Sequence, residues 1–133
     1  MDWTIEFDKA IEQYLPDLEV LQDEPMSRHT TFRIGGPAKR MAFPSSREQL
    51  VLLLSFAKNY GANPLVIGNG SNLLVPDEGL DRLVIDTSAN LNRVERGSGN
   101  TVLADAGATL ARTADLACKS GLTGLEFAHG IPG

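Results

Sequence analysis

The sequence predicts an α+β fold in two parts, and three observations support this prediction. A strand–helix–strand pattern runs from Lys39 to Ile67, a glycine-rich loop follows it, and hairpin spacing replaces this pattern near residue 88. A crossover of this length joins parallel strands in a right-handed sense. Two short strands around a Gly/Ser/Asn turn form an antiparallel pair. We therefore divide the chain into a lead-in at 1–29, an α/β subdomain at 30–88 and the start of a second subdomain at 89–133.

The lead-in begins with a helix and continues as irregular chain. Apolar residues recur at helical spacing over residues 4–15, and Pro16 ends the helix. Residues 16–31 are polar, so we expect no regular element there, and Phe32–Ile34 reads as a short strand. We expect one face of the helix to be buried, formed by Ile5, Ala10, Ile11, Tyr14 and Leu15.

The α/β subdomain contains the best-signalled helix of the chain. It follows a strand at Lys39–Phe43, and either Ser45 with Glu48 or Ser46 with Gln49 can form its capping box. Gly61 stands where a helix commonly ends in a left-handed residue. Short apolar runs at Leu65–Ile67 and Leu83–Ile85 predict two further strands. The expected buried face of the helix consists of Leu50, Leu53, Leu54 and Ala57.

The second subdomain begins with a hairpin and continues as a helix. Leu91–Glu95 and Thr101–Asp105 flank the turn sequence, and Thr109–Ser120 reads as a helix stopped by Gly121. We expect Cys118 to be a buried structural thiol on the inner face of that helix. The expected inner face comprises Leu110, Ala114, Ala117 and Cys118.

Composition narrows the possible partners. The net charge is −5 and no Lys/Arg cluster occurs, which argues against a nucleic-acid or membrane partner. The longest apolar stretch, Leu50–Ala57, is too short to span a bilayer, and the N-terminus lacks the pattern of a signal peptide. One cysteine and two distant histidines argue against a metal site and fit a cytoplasmic protein.

The glycine-rich loop is the principal candidate for a binding site. The strand Leu65–Ile67 runs directly into Gly68-Asn69-Gly70-Ser71-Asn72. A P-loop would need a lysine after the second glycine, but the next lysine is Lys119. A dinucleotide fingerprint would need a third glycine at Leu73 and a following helix. Two interpretations remain open: a nest of backbone amides that binds a phosphate, or a tight turn with no ligand.

Five segments in order resemble the family of UDP-N-acetylenolpyruvoylglucosamine reductase, the MurB enzymes of peptidoglycan synthesis. The resemblance runs from about Glu24 to the last residue, and the order of the segments is more specific than any one of them. Arg33 lies in the first segment, where a solvent-facing or ion-paired role is favoured over a phosphate contact. The segments are His29–Ala38, Gly68–Leu74, Ala106–Ala108, Gly124–Phe127 and Gly130–Gly133.

The resemblance implies a PCMH-type FAD-binding module, made of a small parallel α/β subdomain and the start of a mixed or antiparallel one. It also implies a reaction in which NADPH, through FAD, reduces the enolpyruvyl group of UDP-N-acetylglucosamine enolpyruvate. The loop amides would hold the FAD pyrophosphate, the Gly-Ile-Pro-Gly segment would form a second contact, and Gly107 would allow close approach of the cofactor. The implied cofactor-binding residues are Gly68, Asn69, Gly70, Ser71, Asn72, Leu73, Gly107, Gly130, Ile131, Pro132 and Gly133.

The resemblance implies no catalytic residue within this chain, because the family's catalytic serine, arginine and glutamate follow the position of Gly133. We therefore expect the chain to be the N-terminal, truncated part of the enzyme. Alone, it should be inactive, bind FAD weakly or not at all, and self-associate. Two alternatives stay open: a stand-alone nucleotide-binding or structural module, and a sugar or lactone oxidase built on the same FAD module.

Overall fold

A computed structural model describes residues 2–71 and 73–131 of the chain. Within these residues the protein has an α+β architecture with a four-stranded mixed sheet and a two-stranded sheet. Single 3-10 turns occupy Met26–Arg28 and Glu126–Gly130. The larger elements are α1 (Thr4–Tyr14), β1 (Glu19–Pro25), β2 (Pro37–Phe43), α2 (Arg47–Tyr60), β3 (Leu65–Ile67), β4 (Leu80–Asp86), β5 (Val94–Arg96), β6 (Val102–Ala104) and α3 (Leu110–Lys119).

The four-stranded sheet has the order β1-β2-β4-β3. Strands β2 and β3 each pair with β4 in parallel, so the parallel relation predicted across α2 is confirmed. β4 lies between them, which a strand–helix–strand pattern alone does not reveal. The carboxyl ends of β3 and β4 therefore lie side by side, and the glycine loop leaves the sheet at that edge.

The prediction of irregular chain at 16–31 is wrong, because β1 lies there and pairs antiparallel with β2. β1 is an edge strand, and such strands carry polar residues that hide their apolar alternation. Its neighbours Val20 and Leu21 pack on opposite faces of the sheet, one against each hydrophobic cluster. The predicted strand Phe32–Ile34 is also wrong. Arg33 has a φ of 57° and its amide donates to Thr30 O, so this segment is a turn.

The sheet has a hydrophobic cluster on each face. On one face α1 and α2 cover the sheet, with Phe7, Leu53 and Leu83 fully buried. On the other face no helix packs over the described residues of the cluster. There, Met26, from the turn after β1, and Val75, from the segment after the glycine loop, cover the sheet. The second cluster contains Met26, Ala38, Met41, Phe43, Ile67, Val75 and Val84.

The helices form where predicted, but their buried faces differ in detail. In α1, Ile5 and Tyr14 are exposed while Phe7 is buried, because the helix turns its Phe7–Ile11 side toward the sheet. In α2, Ser46 is the N-cap and accepts from Gln49 N, Leu54 is exposed, and the helix ends at Gly61 with φ 73°.

The second sheet is the predicted hairpin, β5 antiparallel to β6. α3 packs beside it and against the second 3-10 turn, and the buried residues of α3 are Ala114 and Ala117. The prediction that Leu110 and Cys118 face inward is wrong, because both are exposed. Small residues allow α3 to approach the hairpin on a narrow face, which leaves the neighbouring helix positions in solvent. The division into subdomains at residue 88 stays a prediction.

No helix within the described ranges is long and apolar enough to cross a membrane.

Candidate functional site

The glycine loop is anchored at its start by the residue that follows β4. Thr87 donates from both its amide and its hydroxyl to the carbonyl oxygen of Ile67, each at 3.0 Å. Thr87 is buried, so these bonds are shielded from water. The loop therefore begins at a fixed point on the carboxyl edge of the sheet, where ligands of open α/β sheets bind.

The loop turns sharply at Gly70. Its φ is 76°, in the left-handed region that glycine adopts without strain. A Cβ at this position would collide with the carbonyl oxygen of His29. The Ser71 amide donates to Asn69 Oδ1 at 3.1 Å, while the amides of Asn69 and Gly70 have no acceptor among the described residues. The loop thus presents unused backbone donors.

A cleft of about 690 Å³ opens beside this loop. One wall is the segment from the 3-10 turn to Arg33, and the other is Asn69 with the residues at the end of β4. The two walls are far apart in sequence, but the segment after β1 lies on the second face of the sheet, with Met26 in the cluster there and the His29 ring 6.0 Å from that of Phe43. The lining residues are Ser27, Arg28, His29, Thr30, Thr31, Arg33, Asn69, Asp86 and Ser88.

The first wall is held by side-chain hydrogen bonds. His29 Nε2 lies 2.9 Å from Glu24 Oε2, and both side chains are largely buried. Thr30 Oγ1 donates to Ile34 O at 3.2 Å. Thr31 donates to Gly70 O from its amide at 3.3 Å and from its hydroxyl at 3.2 Å. This wall is therefore hydrogen-bonded directly to the glycine loop through Thr31.

The charges of the cleft suit an anion. Asp86 is its acidic lining residue and is buried, with Oδ1 accepting from the Ser88 amide and hydroxyl at 2.7 Å each and from the Ala89 amide at 3.3 Å. These donors compensate the carboxylate. Arg28 and Arg33 add positive charge at the other wall. Arg28 also lies 3.4 Å from Glu24, in an exposed pair of small energetic value.

The predicted site residues fall into two groups. In the glycine loop, Gly68 and Asn69 are exposed, Gly70 is buried, and Ser71 and Leu73 are half-buried. In the tail, Gly130 ends the second 3-10 turn and Ile131 follows it, exposed. Asn72, Pro132 and Gly133 were also predicted and lie outside the described residues.

Among the described residues, the lining of the cleft beside the glycine loop includes none from the tail. The tail packs on α3. The described lining of the cleft ends at Ser88. A contact from Gly130–Gly133 to a ligand at the glycine loop therefore stays a prediction.

Gly107 approaches the protein's own backbone closely. A Cβ there would collide with Thr87 O, and the Gly107 amide donates to Leu91 O at 2.8 Å. Gly107 thereby joins the hairpin to the anchor of the glycine loop. Its predicted contact with a cofactor is not tested by this geometry.

Sequence reasoning missed most of the cleft's first wall. The local sequence around Ser27, Thr30 and Thr31 does not by itself predict a binding site. Asp86 and Ser88 occur in a sequence typical of an ordinary turn. The available signal was the Ser/His/Thr cluster that precedes Gly35-Gly36. Contacts over 39 residues of sequence, such as Thr31 to Gly70, leave no local pattern.

The described residues fit a pyrophosphate. Amides without an acceptor at Asn69 and Gly70, a glycine in the left-handed region, and compensated acidic charge are features with which a backbone loop can bind an anion. Within the residues that the structure describes, no group of three His, Cys, Asp or Glu side chains could hold a metal ion.

The family model described as an FAD binding domain matches residues 38–133. The chain therefore belongs to the FAD binding domain family. The predicted α+β, PCMH-type module is confirmed by this match and by the mixed sheet.

The chain is also similar to curated UDP-N-acetylenolpyruvoylglucosamine reductases, which confirms the resemblance found in the sequence. The enzyme of Moorella thermoacetica is 50% identical over 86% of this chain and 37% of its own length. The crystal structure of the Thermus caldophilus enzyme is 32% identical, with TM-score 0.58, over 86% of this chain and 38% of that one. An alkyldihydroxyacetonephosphate synthase is 21% identical, with TM-score 0.64, over 88% of this chain and 27% of that one, and shares the fold alone. The chain spans less than half of the length of the curated relatives it matches.

Proposed function

We propose that this chain is the FAD-binding portion of a UDP-N-acetylenolpyruvoylglucosamine reductase. The observation that carries the proposal is the glycine loop at the carboxyl edge of a parallel strand, with free amides at Asn69 and Gly70. The identity of 50% to the Moorella thermoacetica enzyme across most of the chain supports the choice of this family member over other flavoproteins.

In the proposed complex the loop binds the pyrophosphate of FAD. The amides of the described loop residues Asn69, Gly70 and Ser71 donate to phosphate oxygens, and Arg28 and Arg33 raise the local positive potential. Asn69 Oδ1, which accepts from Ser71 N at 3.1 Å, can rotate away and release that amide to a phosphate. Thr87 holds the start of the loop through Ile67 O, so few backbone groups need to be ordered on binding.

When bound, FAD supplies hydride transfer between NADPH and the enolpyruvyl group of UDP-N-acetylglucosamine enolpyruvate. The described residues contribute binding and orientation. No described residue is assigned to proton transfer, and His29 is engaged with Glu24 rather than with a nucleophile. The proposed role of this chain is therefore cofactor binding within a larger, cytoplasmic enzyme of cell-wall synthesis.

The test uses the full-length protein. We expect it to purify yellow, to release FAD on denaturation, and to oxidise NADPH only when the enolpyruvate substrate is present. A colourless protein that takes up no FAD contradicts the proposal. Substrate-dependent peroxide production without NADPH would favour a sugar or lactone oxidase instead.

The 133-residue chain alone provides the companion measurement. We expect weak or absent FAD binding, no NADPH oxidation, and self-association at micromolar concentration, since the edge of β3 is unpaired among the described residues and Val66 on it is exposed. Turnover by this chain alone would refute the assignment of catalysis to residues outside it.

A further inference from the structure

Thr31 is the residue that touches the glycine loop most directly from outside it. Its amide and its hydroxyl both donate to Gly70 O, at 3.3 Å and 3.2 Å. The cleft lining includes Thr31 beside Asn69, so these bonds lie next to the unused amides. Neither bond belongs to a helix or a strand, so neither is needed to complete the sheet.

These two bonds fix the orientation of one peptide unit. The unit between Gly70 and Ser71 is planar and trans, so its N–H points opposite to its C=O. Because Gly70 O points toward Thr31, the Ser71 N–H points away from Thr31. It donates to Oδ1 of Asn69, the loop residue that lines the cleft.

The glycine at position 70 lowers the barrier to a flip of this peptide unit. A flip of the Gly70–Ser71 peptide rotates ψ of Gly70, where no Cβ opposes it, and φ of Ser71, so glycine removes one of the two local barriers. After such a flip the Ser71 N–H would face the protein, and the loop would present one donor fewer. The wall that carries Thr31 is itself anchored by the Glu24–His29 hydrogen bond of 2.9 Å.

We propose that Thr31 is a positioning residue that locks the Gly70–Ser71 peptide so that the Ser71 amide faces the phosphate. This inference rests on the proposed binding of FAD pyrophosphate by the loop. Thr31 acts through Gly70 and does not itself bind the cofactor. Its hydroxyl is the part that side-chain substitution can remove, while its amide remains.

The test compares three variants of the full-length protein. Thr31→Val removes the hydroxyl and keeps the shape, Thr31→Ser keeps the hydroxyl, and Thr101→Val removes a hydroxyl–carbonyl bond to Ser98 O in the hairpin turn. After removal of flavin, the Kd for FAD is measured by fluorescence titration and Tm by thermal unfolding. One hydrogen bond corresponds to a change of roughly threefold to tenfold in Kd.

We expect Thr31→Val to raise the Kd for FAD by about five- to tenfold, Thr31→Ser to restore it to within about twofold, and Thr101→Val to leave it unchanged. An unchanged Kd in Thr31→Val, in a wild-type protein that binds FAD, overturns this inference and leaves the proposed function standing. A wild-type protein that binds no FAD overturns both. Equal weakening in Thr31→Val and Thr31→Ser also overturns it, because the hydroxyl would then not be the restraint.

Discussion

Replacing Gly70 by alanine tests whether the loop needs glycine for its conformation or for close packing. Gly70 has φ 76°, and Gly61 at the end of α2 has φ 73°. A Cβ at Gly70 would collide with His29 O, whereas a Cβ at Gly61 meets nothing within 4 Å. The two alanine variants therefore share the cost of the backbone angle and differ in the collision.

The expected magnitudes are well separated. A left-handed alanine costs about 1–2 kcal/mol, which is the whole expected loss for Gly61→Ala. The atom that meets the new Cβ at Gly70 belongs to backbone, so the His29 segment must move, which adds about 1–3 kcal/mol. Gly70→Ala should therefore destabilise the protein by about 2–5 kcal/mol.

Urea unfolding of the full-length protein measures the difference. With an m value of about 2 kcal/mol/M, an extra 2 kcal/mol lowers the midpoint by about 1 M. Gly70→Ala should also weaken FAD binding, while Gly61→Ala should not. Equal midpoints for the two variants would refute the argument that His29 packs against the loop.

Three further outcomes follow from the described contacts. Gly107→Ala should lower the free energy of unfolding by at least about 2 kcal/mol, because its Cβ would collide with Thr87 O; urea unfolding measures this, and a neutral result would contradict the close approach. Ser46→Ala removes the N-cap of α2 and should cost about 1 kcal/mol in the same assay, while Ser46→Asp should retain most of the stability. Hydrogen bonds from its own amide and that of Gly124 hold the pKa of Glu126 below its ordinary value of 4.5. Stabilisation by this carboxylate is thus present above pH 4.5 and is lost as the pH falls through the lowered pKa. The free energies of unfolding of Glu126→Gln and wild type, measured by urea unfolding, should therefore converge in acid. A difference that stays constant across pH would contradict this.

The sequence predicted those elements whose signals are local. Ser46 and Gly61 bound α2, and the glycine loop follows an apolar strand. The edge strand β1 was missed, since its exposed positions carry the polar residues Glu19, Gln22 and Asp23 in place of apolar ones. The position of β4 between β2 and β3 depends on pairing between distant segments, which no short window of sequence contains.

The candidate site was predicted in part for the same reason. The loop residues could be found because Gly and Asn directly after an apolar strand indicate a turn with accessible backbone amides. The opposite wall could not, since Thr31 and its partner Gly70 are 39 residues apart in the sequence. Cys118 is exposed because only a narrow face of α3, with Ala114 and Ala117, is buried. The apolar residues near Cys118 in the sequence do not predict the width of that face.

The most direct test of phosphate binding by the loop is amide NMR of the isotope-labelled full-length protein titrated with FAD. We expect the amide resonances of Asn69, Gly70 and Ser71 to shift on addition of FAD, while the resonance of Gly61 stays in place. Bound flavin with unchanged resonances at Asn69, Gly70 and Ser71 would contradict the assignment of the pyrophosphate to this loop.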